Sequence, residues 1–251
     1  MGNVIDLGQV REQQQRKQAK ISVSLKRIAR QNRLEILQSY PFIKFWLSDV
    51  KAEHYIFGLH LHLALRKELE TQFKTLGASF NVVNQFNDEH KQFDIQQYVS
   101  PNHYKTQLIK RDLAELHAFL PDNFELPSKA KELIAYMRRA SEVYSVALLG
   151  VLFMLEENLC YGGMHLVSAL QKNGVSPKHN FRYLKSFSDS KSDLWKFRET
   201  LDSISDFQTQ ANVVIAATIS YDMHRELLNP RYFRQQAIKF SQLFQTEPTQ
   251  V

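Results

Sequence analysis

A single cysteine, Cys160, stands in a chain of 251 residues. That excludes a disulfide framework and any multi-cysteine zinc or iron–sulfur site. Eight Gly and seven Pro are each about 3% of the chain, against typical usage of roughly 7% and 5%. So few chain-breakers exclude collagen, low-complexity sequence and a sandwich of many tight turns. Long apolar runs are missing too. The longest, Val146–Leu155, is about ten residues, too short to span a bilayer. No apolar leader with a small-residue cleavage site appears near the N-terminus, and Asp6 stands where a myristoylation signal needs Ser or Thr. These absences lead us to expect a cytoplasmic protein.

What is present is core-forming. Hydrophobic residues make up 43% of the chain and aromatics 12%, enough to bury a core and to argue against global disorder. The net charge is +6, and much of the excess sits early. From Arg11 to Arg33 eight Lys or Arg face one acid, Glu12. That run suits phosphates, an acidic surface or an anionic ligand, or is a solvated leader ahead of the first helix. Residues 1–20 read as a basic polar tail and 21–246 as one helical domain.

Apolar spacing of three and four residues predicts a helix over Ile21–Gln38, ended by Ser39-Tyr40-Pro41. A short turn, Phe42–Leu47, precedes a helix capped by Ser48 or Asp49 and running through Phe73. Residues 77–102 read as loop with one helical turn, and His103–Phe119 as helix. One long helical stripe is expected from Ser128 to Leu170, interrupted at Gly162-Gly163, which cost about 2 kcal/mol against alanine. Helices over 178–187, 193–228 and 231–245 follow, with a polar break at Ser188–Ser192. Nothing alternates with period two for long, so the expected class is all-α.

The stretch from Leu148 to Gly163, with Gly150 and Gly162-Gly163, resembles the distal helix of the heme oxygenases. It is most similar to the bacterial, phytochrome-associated branch, which reads approximately Leu-Gly-x-x-Tyr-x-x-Glu-Gly-Ser-x-x-Gly-Gly. Leu25–Glu35 resembles that family's proximal helix, Glu53-His54-Tyr55 its second helix, and Trp195–Arg198 with Leu201 its Trp-x-x-Phe-x-x-x-Leu segment. Ala216–Leu227 is similar to the helix after it. The resemblance implies a multi-helix domain with a glycine-interrupted distal helix. It also implies a heme cofactor, an electron donor, and opening of heme to biliverdin, carbon monoxide and iron. Gly162, Gly163 and Asn158 then fall at the catalytic distal face, where backbone without Cβ lets a flat ligand approach. Lys26, Arg30, Arg33, Arg198 and Phe153 fall to cofactor binding.

Two departures stand out. Asn32-Arg33 occupies the place of the iron-ligating histidine, and guanidinium has no lone pair to offer. Asn158, or Glu157 in the other register, replaces an expected glycine. His165 is the nearest alternative metal ligand. A scaffold without oxygenase activity, binding a tetrapyrrole, another small anionic ligand or a protein partner, is therefore the second expectation. A di-iron oxidase of the same fold is a third. Glu53 and His60 share a face, but Ala217 and Tyr221 stand where it needs His and Asp. No phosphate loop, dinucleotide fingerprint or nucleophile elbow is found, and no nucleic-acid partner is expected.

Overall fold

The computed structural model describes residues 20–83, 93–176, 178–189 and 191–244. The tail expected at 1–20 lies outside the described residues except for Lys20, and residues 245 and 246 of the expected domain lie outside them too. Among the described residues there are ten α-helices and no strand. They are α1 Ile21–Gln38, α2 Tyr40–Lys44, α3 Ala52–Val83, α4 Thr106–Glu115 and α5 Ser128–Val143. Then come α6 Ala147–Lys172, α7 Arg182–Asp189, α8 Lys191–Leu201, α9 Phe207–Leu227 and α10 Pro230–Leu243. A π-helical turn, Phe45–Asp49, joins α2 to α3.

Helix α6 is the axis of the fold. Every residue from Ala147 to Glu157 is buried, as expected of a helix that is apolar all round. Helices α1, α3, α5, α7, α8 and α9 pack around it. At Gly150 the α6–α9 crossing is so close that a Cβ there would lie 2.3 Å from the Val213 carbonyl oxygen and 2.6 Å from the Ala217 nitrogen. Small residues facing one another set this approach.

Helix α1 has the expected limits. It buries Ile21, Ser22, Leu25, Ala29 and Asn32 on one stripe, and it ends at Ser39 in extended backbone, because Pro41 has no N–H to give the Leu37 carbonyl and instead sits in the first turn of α2. Its first turn is anchored by Asp202, which accepts from the Ser22 nitrogen at 2.9 Å and from its hydroxyl at 2.8 Å.

Elsewhere the boundaries differ from expectation. The stripe from Ser128 to Leu170 is two helices, broken at Tyr144–Val146, while Gly162-Gly163 interrupts nothing and α6 runs straight through it. The helix expected over 193–228 is also two, because Asp206 caps a new start, accepting from the Thr209 nitrogen at 2.6 Å. Helix α3 passes Phe73 to reach Val83, and its start at Ala52 leaves Asp49 free to pair with Arg234 at 2.9 Å. His103 sits in a 3₁₀ turn ahead of α4, its Nδ1 accepting from the Ser100 nitrogen at 3.0 Å.

Candidate functional site

A cavity of about 430 Å³ opens between the C-terminal half of α1 and the middle of α6. That is within the usual range for a small-molecule pocket. Its other walls are α2 and the π-helical turn, the first half of α3, and the end of α9. Ile36, Leu47, Leu59, Leu166 and Phe233 make most of it apolar, and Trp46 forms part of one wall. The indole is held by its N–H donating to the Leu228 carbonyl at 3.1 Å and by edge contacts to Phe45 and Phe233, both at 4.8 Å.

Two side-chain bridges cross from α1 to α6 at one end of the cavity. In the first, Arg33 is ion-paired with Glu157, whose side chain is wholly buried. Glu157 also accepts from the Tyr221 hydroxyl at 2.9 Å and lies 3.8 Å from the Arg198 guanidinium. Arg33 additionally covers the Tyr161 ring at 4.5 Å. In the second, the Asn32 amide donates to Asn158 Oδ1 at 3.4 Å, and Asn158 Nδ2 bonds His224 Nδ1 at 3.2 Å. Burial pushes the His224 imidazole down to about 4, helped by the Arg66 cation, so it is neutral at physiological pH. The other guanidinium at the cavity, Arg225, is paired with Glu35 and with Asp222 at 2.8 Å.

A third polar line runs deeper. His62, on the cavity wall, has its Nδ1 3.1 Å from the Tyr183 hydroxyl. Tyr183 is held against Arg66, which donates to Glu156 at 2.7 Å, with Lys105 at 3.9 Å completing the cluster. Burial raises Tyr183 to about 12 and lowers both His62 and Lys105. Along this line the cavity meets neutral groups, and the charges at its wall, Arg33, Glu157 and Arg225, are held in ion pairs.

The residues expected to act together are dispersed. Gly162 lines the cavity, and a Cβ there would meet nothing within 4 Å. Gly163 faces away, its Cβ position 3.1 Å from the Leu184 carbonyl oxygen; it serves the α6–α7 contact. Asn158 and Arg33 are in the two bridges. Arg198 is buried on Glu157 and over Phe153, and Phe153 itself is wholly buried, outside the cavity lining. Lys26 and Arg30 are exposed on α1, also outside the lining. His165 is exposed at the cavity. Of the pair weighed for a di-iron site, Glu53 is exposed while His60 is buried beside Phe124 and Phe240.

None of Glu157, Tyr221, His62, Tyr183 and His224 was assigned to the site from sequence, although Glu157 and Tyr221 were noted as departures from family patterns. The available signal was a polar residue on an otherwise apolar helical stripe, as Glu156-Glu157 is after Val151–Leu155. Among the described residues one group has metal-ligand proximity, Asp112, Glu115 and His179, within 4.8 Å of one another. Its oxygens are already engaged. Asp112 accepts from the Tyr55 hydroxyl at 3.2 Å and from the Arg182 and Tyr183 nitrogens, each at 2.9 Å. Glu115 accepts from Asn180 at 2.6 Å and pairs with Arg182 and with His179 at 3.1 Å. The group caps the start of α7. Cys160 is a buried thiol whose pKa burial raises.

This architecture is similar to that of heme oxygenase-1 from the cyanobacterium Synechocystis sp. PCC6803, solved in complex with heme. The TM-score is 0.68 at 13% sequence identity, over 90% of this chain and 97% of that one. No protein-family model matches the sequence, and no curated protein is similar to it. At that identity the likeness is one of fold. The chain has the all-α heme oxygenase-like fold, and the likeness singles out neither the phytochrome-associated branch nor any residue of the site. Among the described residues no helix is long and apolar enough to cross a membrane.

Proposed function

We propose that this chain binds a neutral, mostly apolar small molecule in the α1–α6 cavity and does not open heme. The observation that carries this reading is the pair of bridges. Asn32 and Asn158 are in contact where α1 and α6 would have to part around a flat macrocycle.

The residues present do not fit heme there. Helix α1 has no histidine, and Arg33 has no lone pair for iron. Heme also brings two carboxylates, which need counter-charges. The guanidinium groups that line the cavity are already paired, Arg33 with Glu157 and Arg225 with Glu35 and Asp222. Inserting a dianion would strand Glu157 as a buried charge, at a cost of several kcal/mol. On this reading no electron donor is required. The ligand gains about 0.8 kcal/mol for each CH₂ it buries, and the bare backbone at Gly162 leaves its seat clear.

A hemin titration followed by visible absorbance, then reductant in air, separates the readings. We expect a spectrum like that of free hemin and no product. A saturable Soret band that decays to a biliverdin-like spectrum overturns the proposal in favour of the oxygenase. In parallel, the neutral dye Nile red should bind saturably, and Gly162→Phe, whose ring has open space to enter, should abolish that binding.

A further inference from the structure

Two buried hydrogen-bonding atoms on residues of the cavity wall lack a partner, Asn32 Oδ1 and His224 Nε2. His224 is 2% exposed, and its Nε2 is buried without a hydrogen bond. Its other nitrogen faces Asn158 Nδ2 at 3.2 Å. An amide nitrogen has only hydrogens to give, so Nδ1 accepts, and the neutral ring then carries its proton on Nε2.

The direction of the line is set by the two amide orientations. As it stands, Asn32 Nδ2 donates to Asn158 Oδ1 and the unpartnered atom at the far end is the Asn32 carbonyl oxygen. A second line runs the same way. Arg66 has only donors, so the Tyr183 hydroxyl beside it gives its hydrogen to His62 Nδ1.

We infer that His224 Nε2–H is the specificity-determining donor of the cavity, and that the ligand is an apolar molecule carrying a carbonyl oxygen seated against it. This rests on the reading of the cavity as a ligand site and adds the ligand's functional group. A proton on Nε2 also removes the lone pair with which His224 would hold a metal.

The test uses the full chain with Trp195→Phe, which leaves Trp46 on the cavity wall as the one tryptophan. The probes are 9-fluorenone and fluorene, flat and alike except for the carbonyl, titrated by calorimetry and by Trp46 fluorescence. We expect fluorenone to bind about ten-fold more tightly, the worth of one net hydrogen bond to a buried donor. His224→Phe should bind the two probes alike. Should that variant fail to fold, ¹⁵N-histidine NMR of the wild type decides: a pyrrole-like Nε2 and a pyridine-like Nδ1 at His224 support the donor. The reverse pattern, or equal binding of both probes to wild type, overturns it while leaving the cavity reading intact. Binding of neither probe takes down the cavity reading and this inference with it.

Discussion

Glu157 and Asn158 are consecutive on α6, yet they build two different walls. On the Glu157 side a carboxylate draws in Arg33, Arg198 and Tyr221 and fills the space between helices. On the Asn158 side only neutral groups meet, and beside them lies open volume. Consecutive helical residues point about 100° apart, so one turn of α6 can be sealed by charge on one flank and hollow on the next. The comparison shows where the positive charge of the early chain is spent at this crossing. It is consumed inside the protein by Glu157, and the hollow beside it is left neutral.

Acid should produce the largest effect and should fall on the neutral wall. The His224 pKa is lowered to about 4 from an ordinary 6.5, and His60 and His103 are lowered to about 4 by burial as well. Below pH 6.5 the unfolded chain takes up these protons while the folded one does not. Stability is therefore full above 6.5 and falls as pH drops towards 4. Each histidine contributes up to about 1.4 kcal/mol per pH unit in that window. Urea unfolding at pH 7, 6, 5 and 4 reads the slope, and His224→Phe should remove one histidine's share while the other buried histidines, His62 among them, keep theirs. An unchanged slope in that variant would place His224 in contact with water.

The ionic wall should break more sharply under mutation than the neutral one. Glu157→Gln leaves the Arg198 charge unanswered and should cost about 3 kcal/mol, whereas Asn32→Ala removes one neutral bond and should cost about 1 kcal/mol. Equal losses in denaturant titrations would erase the distinction between the walls. Glycines sharpen it further. Gly150→Ala drives a methyl into the backbone of α9 and should cost about 2 kcal/mol through overpacking. Gly162→Ala meets nothing within 4 Å and should stabilise by about 0.4–1 kcal/mol, seen as a small rise in Tm. A Gly162→Ala variant that loses stability would mean the hollow is already filled in solution.

Helix α1 was legible because its apolar stripe and Pro41 act locally, and α6 because a ten-residue apolar run has nowhere to go but inside. The breaks at Tyr144–Val146 and Asp202–Asp206 were not legible as breaks. In each, the apolar spacing carries on across the join, and at the second only the capping residue Asp206 marks the restart. Resemblance led to Gly162 and Asn158, which do line the cavity, and to Arg33. It also led to Lys26, Arg30 and Phe153, which do not. Their spacing places them on helices but not on the flank that faces the hollow. Glu157 was named only as standing in a glycine's place, and its bridging role was hidden for a different reason. A carboxylate after a run of apolar residues reads as a solvated end of a stripe until its three partners, from α1, α8 and α9, are brought to it in space.

The π-helical turn that walls the cavity is fastened to distant parts of the chain more than to itself. Its indole N–H is given to Leu228 at the end of α9, and the Asn173 amide at the end of α6 holds the carbonyls of Ser48 at 2.6 Å and Val50 at 2.8 Å. Such a segment cannot open alone, because releasing it means fraying two helix ends at once. Hydrogen exchange at the Trp46 indole and at the last turns of α6 and α9 should therefore share one protection free energy, as a single cooperative unit. Anything that fills the hollow will slow all three together, so occupancy of the pocket is written into the exchange clock of the helix ends that hold its wall.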